Sequence, residues 1–319
     1  MKALITGIAG FVGSTLALRL LRDGYDVVGV DSLTDYYDTT LKEKNLELLD
    51  SGRRGSRLTV LRADLRDLDL RELLVDIDYV FHQAGQPGVR KSWGRDFSFY
   101  IESNIDVTQQ LLEAARTAPR LKRLVYASSS SVYGDAETYP TSETLRPQPR
   151  SPYGVTKLAA EHLCVLYAAN FGVPTVSLRY FTVYGPRQRP DMAFTRFLRA
   201  IKDDRPITLF GDGEQIRDFT FVDDIVDANI RAAESASLEN GAVLNVCGGS
   251  SVSVNEVLGI MRDVSGRDVL IDRYEAVAGD VRRTGGDSHQ IRQFLGWSPR
   301  VQLEEGIARQ WAWVLESDG

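Results

Sequence analysis

Tyr153 and Lys157 stand four residues apart and follow a run of four serines, Ser128 to Ser131. On a helix this spacing puts both side chains on one face, a turn apart. A phenol near pKa 10 is a poor base at neutral pH. An ammonium beside it favours the phenolate, so Lys157 is expected to lower the pKa of Tyr153. Small serine hydroxyls can hold a reacting oxygen. These parts suffice to move a proton while a nicotinamide moves a hydride, provided the chain binds a nicotinamide and brings the two segments together. On their own, the serines also read as a polar turn.

The elements that must position them alternate through the first half. Strands are predicted over Ala3–Thr6, Asp26–Val30, Leu58–Leu61, Tyr79–His82, Leu124–Ala127 and Val176–Tyr180. Helices are predicted over Phe11–Arg22, over about 97–117, and after Pro152, where Leu158, Leu163, Leu166 and Tyr167 fall at helical spacing. Such alternation argues an α/β fold, a doubly wound parallel (Rossmann) sheet with helices on both faces. The serines then lie at the carboxyl end of the fifth strand. Residues 182–220 are rich in Pro, Gly, Arg and Asp; strand signals return at Val243–Val246, and the tail from Ser251 carries two helical patterns. The expected organisation is a dinucleotide domain over 1–180, with a returning segment near 220–248, and a smaller interleaved substrate domain over 181–319.

Gly7, Gly10, Phe11, Val12 and Gly13 form a GxxGxxG turn between the first strand and the first helix. Glycines there allow a tight turn, close backbone approach to a pyrophosphate and close helix–strand packing. Asp31 ends the second strand and is followed by Ser32, not by an arginine. A carboxylate at that point accepts from ribose hydroxyls and repels a 2′-phosphate, which favours NAD over NADP. Asp64 and Leu65 end the third strand, where they can meet adenine; Asp64 reads equally well as a helix N-cap. Gln83, Ala84 and Gly85 end the fourth strand with small residues that let backbone lie against the cofactor. All of these are carboxyl ends of strands, where ligands bind in open parallel sheets.

Composition narrows the classes. Of 319 residues, 43% are hydrophobic and 26% charged, and the net charge is −6, which argues against a general nucleic-acid or anionic-membrane surface. The two cysteines, Cys164 and Cys247, show no metal spacing and read as reduced thiols of a cytoplasmic protein. His82, His162 and His289 lack ligand spacing, so no metal is expected. No apolar run reaches membrane-spanning length, and no secretory signal opens the chain.

With these motifs in place, the chain resembles the extended short-chain dehydrogenase/reductase family over essentially its full length. That family places its catalytic Ser or Thr four residues before the Tyr of a Val-Tyr-Gly segment, here Val132-Tyr133-Gly134, which implies Ser129. The resemblance also implies cofactor contacts from Asn104, Tyr180 and Phe181. In the family's nucleotide-sugar 4,6-dehydratases the catalytic Thr is followed by Asp-Glu, and its decarboxylases carry a Glu at the second of these positions. Here Ser130 and Ser131 follow. The implied reaction is therefore NAD-dependent 4-epimerisation of a UDP-sugar through a 4-keto intermediate. The segment from Thr182 through Arg189 to Met192 and Ala193, with Asp35-Tyr36-Tyr37-Asp38 before Leu41-Lys42, resembles the family's epimerases of UDP-glucuronate and UDP-galacturonate.

By that resemblance Arg189 takes the sugar carboxylate through a bidentate fork; its other reading is a surface or inter-loop ion pair. Arg217 is implied at the diphosphate, and Asp280 and Arg282 in a loop over uridine. Arg90, Ser128, Ser129, Ser130, Thr182 and Met192 complete the implied substrate set. A homodimer through the helices near 97–117 and 153–171 is also implied. The alternatives are a 4-epimerase of UDP-glucose or UDP-N-acetylhexosamine, a UDP-glucuronate decarboxylase, and a nucleotide-sensing protein that retains the fold without turnover.

Overall fold

The computed structural model describes residues 1–51, 55–275 and 282–317. In chain order its first half runs β1 (Lys2–Thr6), α1 (Phe11–Arg22), β2 (Asp26–Asp31), α2 (Thr39–Ser51), β3 (Leu58–Arg62), α3 (Leu70–Leu74), β4 (Tyr79–His82), α4 (Phe97–Ile101), α5 (Val107–Ala115), β5 (Arg123–Ser129), α6 (Pro152–Phe171) and β6 (Thr175–Tyr180). The second half continues with β7 (Thr182–Tyr184), α7 (Ala193–Lys202), β8 (Ile207–Phe210), β9 (Ile216–Arg217), β10 (Phe219–Phe221), α8 (Val222–Glu234), β11 (Ala242–Val246), β12 (Val252–Ser253), α9 (Val254–Ser265), β13 (Ile271–Tyr274), α10 (His289–Leu295) and α11 (Leu303–Glu316).

Seven strands form one sheet in the order β11-β6-β5-β4-β1-β2-β3, every neighbouring pair parallel. Its strands are apolar on both sides because both faces are covered. Ala3 and Ile5 of β1 pack with α1, α2 and α8 on one face. Leu4 packs with α3, α5 and α6 on the other. The alternation along a single strand is what divides the core in two. A third cluster gathers Phe194, Phe197, Leu198, Val257, Met261, Ile307 and Trp311 from α7, α9 and α11. After the excursion through β7 to α8, β11 returns to the sheet beside β6.

Three local readings need correction. The long helix predicted over 97–117 is broken by a π-turn over Glu102–Asp106, where Asn104 is turned inward. Among its described residues the tail beyond Ser251 holds three helices, not two; α10 spans only seven residues and buries one apolar side chain, Ile291, too little for a periodic signal. In α6 the inward face is Gly154, Thr156, Lys157, Ala160, Glu161, Cys164, Tyr167 and Ala168, whereas Leu166 is 53% exposed. The helix presents polar and small residues inward because it lies under a functional cleft.

The first βα turn shows what its glycines do. A Cβ on Gly13 would stand 2.1 Å from the Gly7 carbonyl oxygen. Gly13→Ala is therefore expected to force the turn and α1 apart, at about 1–3 kcal/mol of stability. The melting temperature of the variant measures this, and an unchanged value would show that the turn yields freely.

Candidate active site

The carboxyl ends of β1 to β6 open into a cleft of about 760 Å³. Gly7, Gly10, Phe11, Val12, Gly13, Asp31, Ser32, Asp64, Leu65, Gln83, Ala84 and Gly85 line it, as do Ser128, Ser129, Ser130, Tyr153, Lys157, Tyr180, Phe181, Thr182, Arg189, Met192 and Arg90. Residues drawn from widely separated segments thus meet around one volume.

At the cofactor end, α1 begins at Gly10 with no side-chain cap and no acidic residue in its first turn. Its first N–H groups and dipole suit an anionic pyrophosphate. Asp31 accepts from Ala9 N at 3.0 Å and Leu33 N at 2.9 Å. Those bonds fix the carboxylate at the tip of β2 and leave further lone pairs for ribose hydroxyls. These residues fit a dinucleotide. Lys42, buried and 4.0 Å from Asp31, also lines the cleft; it was not singled out as a site residue, though it lies in a segment that carried the resemblance. Asp64 caps the turn Leu65–Asp67 through Arg66 N and pairs with the Arg66 guanidinium. The cap reading describes these bonds, and Asp64 also lines the cleft.

Asn104 is not a lining residue. Its Oδ1 accepts from Gln86 N at 2.7 Å, and its Nδ2 donates to Gln86 O and to Thr156 Oγ1. It clamps the loop after β4 to α6 and so shapes the cleft from behind. Its place in the π-turn, which one-residue patterns do not reveal, puts it there.

At the reactive end, Ser129 caps the short turn Ser130–Val132, accepting from Ser131 N at 3.1 Å. The polar-turn reading and the functional reading therefore describe the same residues. Burial pushes the Tyr153 phenol above its usual value, while hydrogen bonding by Ser129 and then the charge of Arg189 pull it back. Lys157 was expected to supply that pull. Instead its own ammonium is held down to about 8 by burial, 6% exposed and 4.5 Å over the Tyr126 ring. A buried cation without a carboxylate on its Nζ loses charge readily.

Ser128 lines the cleft, and its hydroxyl donates to Glu161 Oε2 at 2.7 Å, so it also braces the floor of the site. Arg189 lines the reactive end, but its Nε and Nη2 grip Asp191 Oδ1 and Oδ2 at 2.9 and 3.0 Å. The ion-pair reading describes its partner in the structure. Arg217 and Arg282 are not among the lining residues; Ile216 N, next to Arg217, donates to the Arg282 carbonyl. Asp280 lies outside the described residues. Arg90 stacks its guanidinium 5.2 Å from the Phe210 ring. Tyr36 and Asp191, both lining the cleft, went unassigned in sequence because aromatic and acidic residues in a loop carry no period or spacing.

The pattern of the NAD dependent epimerase/dehydratase family matches residues 3–247. The chain belongs to this family. It is 41% identical, over 98% of each chain, to an uncharacterised UDP-glucose epimerase of Bacillus subtilis. It is 36% identical to a probable UDP-glucuronate 4-epimerase of Rhizobium meliloti, over 98% of this chain and 96% of that one. A crystal structure of UDP-glucuronic acid 4-epimerase from Bacillus cereus, in complex with UDP-glucuronic acid and NAD, superposes with a TM-score of 0.94 at 43% identity, covering 99% of this chain and all of that one. Family membership makes NAD the cofactor, and the doubly wound sheet is the shared frame. No helix among the described residues is long and apolar enough to cross a membrane.

The Lys157 ammonium gives a pH test. Its folded pKa, about 8, lies below the ordinary 10.5. Between those values the unfolded chain holds a proton that the folded chain has lost, so stability rises with pH across this window. Lys157→Met carries no such penalty. In cofactor-free protein the variant should exceed the wild type in melting temperature most at pH 7, with the gap narrowing towards pH 9. A gap independent of pH would show that the buried lysine is not depressed.

Proposed function

We propose that the chain is a UDP-glucuronate 4-epimerase. The observation that carries this is the company of Tyr153: a serine hydroxyl and the Arg189 guanidinium, with serines rather than carboxylates at 130 and 131. An elimination needs an acid placed at those positions, and a uronate needs a cation near the reacting carbon. The resemblance to enzymes named for UDP-glucuronate supports the substrate.

In this reading Tyr153, deprotonated, takes the proton from the sugar C4 hydroxyl. Ser129 holds the same oxygen and stabilises the phenolate. When bound, NAD supplies the acceptor for the C4 hydride and the source of its return. The resulting 4-keto uronate is a β-keto acid, which loses carbon dioxide most easily when the bond from C5 to the carboxylate stands perpendicular to the carbonyl plane. Arg189 restrains that carboxylate while the sugar turns about its diphosphate linkage. Tyr153 then returns the proton to the oxygen on the opposite face. Lys157 stays beneath, on the ribose side.

A second reading, epimerisation of a neutral UDP-hexose, is favoured by the name of the Bacillus subtilis relative and by the existing partner of Arg189. We further propose a cytoplasmic homodimer. The buried free thiols Cys164 and Cys247 suit a reducing compartment. On α6 Val155, Val165, Leu166 and Phe171 are exposed apolar residues that a second copy would cover.

Incubation with UDP-glucuronate and NAD, followed by stereochemical analysis of the sugar and by gas measurement, decides among the readings. UDP-galacturonate without carbon dioxide is expected. Gas would indicate a decarboxylase, and turnover of UDP-glucose alone would establish the second reading. Tyr153→Phe should keep NAD affinity and lose at least about a hundredfold in turnover. Arg189→Ala should lose glucuronate turnover far more than NAD binding, and unchanged kinetics would remove Arg189 from the substrate.

A further inference from the structure

Among the described residues three carboxylates line the cleft, Asp31, Asp64 and Asp191, and Asp191 is not explained by catalysis. Asp31 and Asp64, which also line the cleft, sit at the tips of β2 and β3, on the far side of the sheet order from the serines of β5. Asp191 instead lies two residues from Arg189 and fills its fork through Nε and Nη2. Among the described residues none holds Nη1. The guanidinium stands 5.9 Å from the Tyr36 ring centroid.

The pair is built into a fixed loop. Arg187 has a left-handed φ of 68° and reaches Thr15 Oγ1 at 2.9 Å. Buried Gln188 donates to Val183 O and accepts from Thr195 N and Gln310 Nε2. Met192 N closes the turn onto Arg189 O. With both flanks anchored, Arg189 and Asp191 meet by backbone design. Arg189 is 20% exposed and Asp191 37%, so the pair borders the open cleft, where water can receive a released carboxylate.

We propose that Asp191 is a specificity-setting surrogate for the substrate's own carboxylate, occupying the Arg189 fork until a uronate displaces it. The proposal rests on the uronate reading above. A uronate bound at Arg189 exchanges one carboxylate for another, and the cost of freeing Asp191 weakens its grip. A neutral hexose leaves the pair closed and no cation unpaired. Asp191 thereby narrows the preference for uronates and keeps the carboxylate exchangeable while the sugar turns. A permanent lock on the carboxylate would resist that rotation.

Binding of UDP-glucuronate and of UDP-glucose is measured by calorimetry with NAD present, in Tyr153→Phe and in Tyr153→Phe/Asp191→Asn. Turnover is followed in parallel in Asp191→Asn alone. Removing the competing carboxylate should tighten UDP-glucuronate about fivefold, with UDP-glucose unchanged, the size of one partly exposed ion pair. KM for UDP-glucuronate should fall in step. Unchanged or weaker UDP-glucuronate binding would overturn the proposal and leave Asp191 as a support that orients Arg189. So would equal tightening of both ligands. Failure of the uronate reading is separate: it appears as absence of UDP-galacturonate from the wild type, whatever Asp191→Asn does.

Discussion

The buried ion pair between Glu161 and Arg179 holds the reactive end together. Arg179 Nη2 meets Glu161 Oε1 at 2.6 Å and Nε meets Oε2 at 2.9 Å, with both side chains almost wholly buried. Glu161 stands one helical turn beyond Lys157, and Arg179 lies in β6, so the pair ties the catalytic helix to the sheet. Its second acceptor duty is the Ser128 hydroxyl, which pins the end of β5 next to Ser129. Nη1 of Arg179 goes on to the Tyr133 hydroxyl at 2.6 Å, and Tyr133 donates to Asn245 Oδ1 at 2.8 Å. Removing one member would strand a charge in the core, at about 3–5 kcal/mol. An apolar replacement of the whole set could match its stability. It could not fix three strands and a helix in one register by directed bonds.

That brace explains the polarity of α6. A helix that carries Tyr153, Lys157 and Glu161 on one stripe must turn the stripe inward, which leaves Leu158 and Leu163 at its margins and Leu166 exposed. Burial then acts on Lys157 and Tyr153. It drives Lys157 down to about 8 and raises the Tyr153 phenol. The phenol must therefore be assisted from the cleft side, by Ser129 and Arg189. His82, beneath the same cleft, is held near 3 by burial between Thr6 and Thr108 hydroxyls and serves as a neutral bridge.

The parts legible in sequence are those with a period or a punctuation mark. β1, β2 and β4 announce themselves as short apolar runs, and the glycines after β1 mark the turn in which Gly13 lies against Gly7. Tyr153 and Lys157 are legible because a helix fixes side chains four apart. Asn104, Lys42 and Asp191 are not, since their roles depend on where a π-turn or a loop delivers them. The serines show the opposite difficulty. Four in a row look equivalent in a string, but alternation along β5 gives the Ser128 hydroxyl to Glu161 and leaves Ser129 to cap the turn that follows.

The same division separates chemistry from selectivity. In the proposed reaction, proton transfer rests on β5 and α6, which the sheet and the Glu161–Arg179 pair make rigid. In the same reading, selectivity rests on the loop from Gly185 to Met192, which joins β7 to α7 and is held by Gln188 against α11 through Gln310. A rigid reactive pair tolerates a sugar that turns over, because only the C4 oxygen and its hydrogen must return to the same place. The charged substituent has to move between the two productive poses. A loop carrying both a cation and its counter-carboxylate can hold that substituent loosely in each, whereas a lone buried guanidinium would favour one pose over the other. The Arg189–Asp191 pair is thus consistent with a site built for passage between two stereochemical states rather than for tight capture of one.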